Sequence, residues 1–127
     1  EDVGGIATDC KNLAISFDCP VITGSQLGRY TWSLTGDQVV SMDSIAESAQ
    51  KVHIAHSMIT INQNKGEKNA QKARLYLAKS RSGKPNTVVW CDWNIGRCQL
   101  IEANAWDPKA LDDANDTFSV KSSDTRR

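Results

Sequence analysis

A chain of 127 residues is the length of one domain and is long enough to bury a single hydrophobic core. Apolar residues at 39% and charged residues at 24% lie within ordinary globular usage, which excludes wholesale disorder and the fibrous classes. The 15 basic and 15 acidic side chains give a formal net charge of zero, so the chain lacks the domain-wide basic excess of a dedicated nucleic-acid binder.

In chain order, Glu1-Asp2-Val3-Gly4-Gly5 has no charged-then-apolar signal pattern, so an exported form is expected to have lost its signal already. No apolar run approaches the roughly 20 residues of a membrane span. Leu13-Ala14-Ile15, Val21-Ile22 and residues 30–34 read as strands from their apolar, aromatic and β-branched content, with Gly24, Gly28 and Gly36 as turns between them. The main helix is expected over residues 44–57. Ser44 and Glu47 form a capping box, Asp43 complements the dipole, and Ile45, Ala49, Val52 and Ile59 recur at helical spacing.

Residues 58–61 then begin a strand, residues 62–69 read as a polar loop, and residues 73–78 alternate as a half-exposed strand. Residues 80–86 carry the Gly and Pro of a turn. Residues 87–93 and 97–103 form a hairpin in which Gly96 is expected to take a positive φ. A short helix follows over 107–114, with Pro108 at its first position. These elements predict one α+β domain over residues 1–118, a mostly antiparallel sheet of four or more strands packed against one main α-helix. Residues 119–127 are expected to be a flexible polar tail.

Cys10, Cys19, Cys91 and Cys98 lack the two-residue gap of zinc knuckles and redox motifs, and read as structural disulfides that stabilise the domain. Four cysteines allow three connectivities. Local pairing of Cys10 with Cys19 and of Cys91 with Cys98 is favoured here, which places the protein outside the cell or in a periplasm. Asn115-Asp116-Thr117 fits the glycosylation pattern and points the same way.

The charges are segregated. Lys65, Lys68, Lys72, Arg74, Lys79, Arg81 and Lys84 stand against the single Glu67 in residues 65–84, while Glu102, Asp107, Asp112, Asp113 and Asp116 answer in residues 102–116. The basic run offers a docking face for an acidic partner, unless the two segments fold together and neutralise each other. Tyr76 within the basic run and Trp93 and Arg97 in the hairpin complete the candidate contact surface. Trp90 and Trp93 should fall on opposite faces of their strand.

Catalytic signals are sparse. His53 and His56, three apart on the expected helix, have no third ligand at metal-binding spacing, and no nucleophile elbow or phosphate loop occurs, so no metal or cofactor is expected. The order of hairpin, helix and antiparallel sheet resembles the small secreted fungal ribonucleases and the non-catalytic effector proteins that share their fold. That resemblance implies a glutamate base with an arginine and a histidine on the sheet. Glu67 with Arg74 or Arg81 fills the first two roles, but no histidine follows the helix to protonate the leaving oxygen.

The chain is therefore read as a small secreted, disulfide-containing protein that acts by binding another macromolecule, effector- or toxin-like and without catalysis. A protein partner is favoured over RNA or a glycan. The alternatives are a ribonuclease-like hydrolase using Glu67, Arg74 and a helix histidine, and a structural subunit of an extracellular assembly whose segregated charges mate between copies.

Overall fold

The structure, a computed structural model, describes residues 3–27, 35–42 and 53–124, with side chains described up to residue 116. The elements are helix α1 (Val3–Phe17), strand β1 (Ser57–Asn62), the short helix α2 (Lys65–Asn69), strands β2 (Lys72–Ser80) and β3 (Thr87–Asn94), a 3-10 turn at Ile95–Arg97, strand β4 (Gln99–Glu102), and helix α3 (Pro108–Asp124). The four strands pair in sequence order, each antiparallel to the next, as a meander. The chain is an α+β domain with a four-stranded antiparallel sheet, and no described helix is long and apolar enough to cross a membrane.

The N-terminal third corrects the sequence reading. Leu13-Ala14-Ile15 is helical rather than extended, because Ile6, Cys10, Leu13, Ala14 and Phe17 recur at the three-to-four spacing of one helix face. The helix closes with the Cys19 N–H donating to the Ala14 carbonyl and the Asp18 N–H to the Ile15 carbonyl, with Asp18 at φ 46°. This is a left-handed C-terminal stop, and Pro20 follows it. Val21-Ile22 has no regular structure. The strand expected at 30–34 and most of the helix expected at 44–57 lie outside the described residues. His53 and Ile54 are helical, whereas Ser57 already opens β1, so the helix ends earlier than expected.

Residues 65–69, expected as loop, form α2. Asn64 caps it by accepting from the Glu67 N–H at 2.7 Å, while the Glu67 carboxylate accepts from the Asn64 N–H at 2.9 Å, which closes a capping box. Gly66 lies where a Cβ would overlap the Leu111 carbonyl, so α2 and α3 touch backbone to backbone. A register shift between Met58 and Ile59 leaves Ala78 as an extra residue in β2. In the β3–β4 turn Gly96 does not take the positive φ. Asn94 caps the 3-10 turn, and Cys98 at φ 50° makes the left-handed step. Helix α3 starts at Pro108 as expected and runs ten residues past Ala114 to Asp124.

All four cysteines are free thiols, which corrects the expected local bridges. Cys91 lies opposite Glu102 and Asn94 opposite Gln99. Cys98 is thus about four ladder positions, roughly 13 Å, from Cys91, whereas a disulfide needs Cα atoms within about 7 Å. Cys10 sits within α1 and Cys19 just beyond its end, on the order of 10 Å apart along the helix axis.

Alternation gives the sheet two unlike faces. Thr60, Asn62, Arg74 and Trp90 share one, and Ile59, Ile61, Leu75, Leu77, Val89, Trp93 and Leu100 share the other. Residues 36–40 strap the first face: Thr60 Oγ1 donates to the Val40 carbonyl and the Val40 N–H donates to Asn62 Oδ1, both at 2.8 Å. Buried apolar residues among those described are Val40, Ala73, Ala78 and Cys91, while Thr60, Asn62, Asn64, Glu67 and Arg74 are buried and polar. The strapped side of the sheet is therefore held largely by hydrogen bonds.

Candidate functional site

The largest fully buried side chain among the described residues is that of Glu67, in the first turn of α2 and paired with Arg74 of β2. Glu67 Oε2 accepts from Arg74 Nε at 2.8 Å and from Trp106 Nε1 at 2.9 Å. Oε1 accepts from Arg74 Nη2 and from the Asn64 N–H, both at 2.9 Å. The guanidinium also donates from Nη1 to the Asp37 carbonyl and from Nη2 to the carbonyls of Gly36 and Gln38. Asn64 Nδ2 donates to the carbonyls of Gly36 and Pro108, both at 2.9 Å. A carboxylate with four donors has no lone pair left for a substrate proton, and the buried arginine gives four of its five N–H groups to the protein's own acceptors. Glu67 and Arg74 are thus a structural keystone joining the strap, α2, β2 and the start of α3.

The histidines lie elsewhere. His53 and His56 are exposed near the far end of β2, about seven strand residues, roughly 23 Å, from Arg74. His56 has left the helix, so the pair does not share a helical face. No group of three or more His, Cys, Asp or Glu side chains placed to hold a metal occurs among the described residues.

The expected basic surface divides into four. Arg74 is buried. Lys65 and Lys68 are exposed on α2, which packs against α3 and is tied to it by Asn69 Nδ2 donating to Asn115 Oδ1. Lys72 bonds Asp92 at 2.9 Å and lies 4.9 Å above the Trp106 ring, which packs edge to face on Trp90 with centroids 4.7 Å apart.

The remaining cations gather at the opposite end of the sheet. Lys79 closes β2, and Arg81 and Lys84 are exposed in the β2–β3 turn. Arg81 Nη2 donates to the His53 carbonyl at 2.6 Å and the Arg81 N–H to the His56 carbonyl at 3.2 Å, which fixes the arginine over the entry to β1. Burial, then the charges of Arg81 and of Lys11 on α1, hold the Lys79 ammonium below its ordinary pKa. Lys11 therefore belongs to this end too, a member the sequence reading missed because it lies far away along the chain.

Tyr76 is half-buried, with its hydroxyl donating to Asn86 Oδ1 at 2.6 Å. As expected, Trp90 and Trp93 occupy opposite faces. Trp93 is half-buried on the apolar face opposite Leu100, away from the cationic end, and Arg97 is exposed in the β3–β4 turn. Burial, then the charges of Glu102 and Asp92, push the Cys91 thiol up, while Cys19 and Cys98 are exposed. Comparison with known proteins finds no matching family model, no matching curated protein and no matching solved structure.

Proposed function

We propose that this protein acts by binding an acidic protein surface, through the end of the sheet that carries Lys11, Lys79, Arg81 and Lys84. The observation that carries this reading is the gathering of Lys79, Arg81 and Lys84 at one end of the sheet, where Lys79 and Arg81 both reach the His53 carbonyl and where burial, then the charges of Arg81 and Lys11, lowers the Lys79 pKa. Like charges held together at one end of a neutral chain favour an anionic counterpart and steer its approach. The burial of Glu67 and Arg74 argues against the hydrolase reading, since the carboxylate that would act as base is committed to four donors of the fold. Among the described residues, Trp93 is away from the cationic end and the Tyr76 hydroxyl is tied to Asn86, which favours protein over single-stranded RNA.

Titration with poly-glutamate and with single-stranded RNA across a salt series tests the reading. Poly-glutamate is expected to bind, to weaken as salt rises, and to be lost in the Arg81→Glu/Lys84→Glu variant. Tighter binding of RNA than of poly-glutamate would transfer the site to nucleic acid. Binding of neither would refute an anion-directed surface.

A further inference from the structure

The second face of the sheet poses a separate question. Ile59 is 63% exposed and Ile61 53%, and Val89 and Leu100 are exposed beside them. Register places these side chains, with Leu75, Leu77 and Trp93, on one face: Ile61, Leu75 and Val89 lie in one row, Ile59 and Leu77 in the next, and Trp93 opposite Leu100 beyond a row in which Ala73 and Cys91 are buried. Apolar patches of this kind on a soluble domain mark interaction surfaces. A second such surface occurs among the described residues. On α1, Ile6, Leu13 and Phe17 are all more than half exposed and fall along one stripe at seven- and four-residue steps, whereas Ala7 and Ala14 on the adjoining side are half-buried. The helix thus presents these large residues outward.

We infer that this stripe of α1 seats on the open sheet face of a second copy of the chain, in a reciprocal pair. An amphipathic helix against a sheet is the standard two-layer solution, and each copy supplies one helix and one face, so the stoichiometry closes within a dimer. At 15 residues α1 is about 22 Å long, matched to strands about 20–30 Å long. The area decides in favour of reciprocity. Seven half-exposed side chains (Ile6, Leu13, Phe17, Ile59, Ile61, Val89, Leu100) remove roughly 100 Å² each, about 700 Å² per helix–face contact. Two contacts bury about 1,400 Å², within the range of stable complexes, whereas one alone falls below it. The surface is distinct from the cationic end, and neither needs the other.

Sedimentation equilibrium of the full chain from about 1 to 100 µM tests the pair. The wild type is expected to dimerise with an affinity that is unchanged or stronger in 0.5 M sodium chloride, as apolar association requires. Ile59→Lys/Ile61→Lys on the face and Leu13→Asp/Phe17→Asp on the helix should each weaken the dimer roughly a hundredfold with unchanged circular dichroism, while Ile22→Lys, outside both surfaces, should not. A monomeric wild type, or full dimerisation of either double variant, would overturn the inference. Poly-glutamate binding should survive in both double variants, which separates this test from that of the cationic end.

Discussion

Replacing Glu67 by Gln exchanges one carboxylate oxygen for an NH₂ group in the largest fully buried side chain of the described residues. The carboxylate accepts four hydrogen bonds, two on each oxygen, from Arg74 Nε, Arg74 Nη2, Trp106 Nε1 and the Asn64 N–H. A carboxamide keeps one accepting oxygen and turns an N–H₂ group toward two N–H donors, and it leaves the Arg74 guanidinium buried without its counter-charge. Breaking a buried ion pair on one side costs about 3–5 kcal/mol, which is a large share of the ~5–15 kcal/mol that holds a domain of this size. Urea unfolding followed by tryptophan fluorescence, with Trp90 and Trp106 as reporters, should show a loss in that range and a fall in Tm of about 10–20 °C. Arg74→Met should cost a similar amount. The double variant should cost clearly less than the two together, since each single change strands the other partner. A Glu67→Gln loss below about 1 kcal/mol would show that the pair is not the keystone its geometry describes.

Gly66→Ala should cost about 1–3 kcal/mol in the same assay, because its Cβ meets the Leu111 backbone and parts α2 from α3, whereas Gly83→Ala meets only the movable Ser80 hydroxyl and should be nearly neutral. Thiol titration with an aromatic disulfide at pH 8 should find Cys19 and Cys98 fast and Cys91 slow, with Cys91 gaining rate only as pH rises. The raised Cys91 pKa also sets the sign of a stability change. Its contribution is whole below the thiol's ordinary value of 9.0 and is lost as pH climbs beyond that; Cys91→Ala should remove this alkaline slope from urea midpoints. Arg81→Ala should return the Lys79 ammonium toward its ordinary pKa, read by lysine side-chain NMR, and an unmoved titration would deny that the two charges face each other.

What the sequence revealed was what neighbours in the chain decide. The alternation of β2 and the start of α3 at Pro108 follow from local period and ring geometry, and the four-stranded antiparallel order follows from short connections. Helix α2 was also written locally, as Asn64-x-x-Glu67, but Gly66 and its flanking lysines disguised a capping box as a loop. Leu13-Ala14-Ile15 misled because a three-residue apolar run fits a strand as well as a helix, and only Ile6, Cys10 and Phe17 fix the period. Arg74 looked like one cation among seven in a solvated run. Its burial depends on carbonyls of residues 36–38 and on Trp106, partners that no spacing rule connects to it. The cysteine expectation failed on register, a property of paired strands rather than of the interval between two sulfurs.

The hydrogen-bonded side of the sheet also bears on how the protein responds to temperature. Unfolding raises heat capacity in proportion to the apolar surface it wets and lowers it in proportion to the polar surface. Among the described residues, the groups released from the interior include the Glu67 carboxylate, the Arg74 guanidinium, two asparagine amides and a threonine hydroxyl, against a few small apolar side chains. Wetting these polar groups pulls the heat-capacity increment down, which flattens their share of the curve of stability against temperature. Chilling therefore loosens the strapped face less than it would an equal area of hydrocarbon contact.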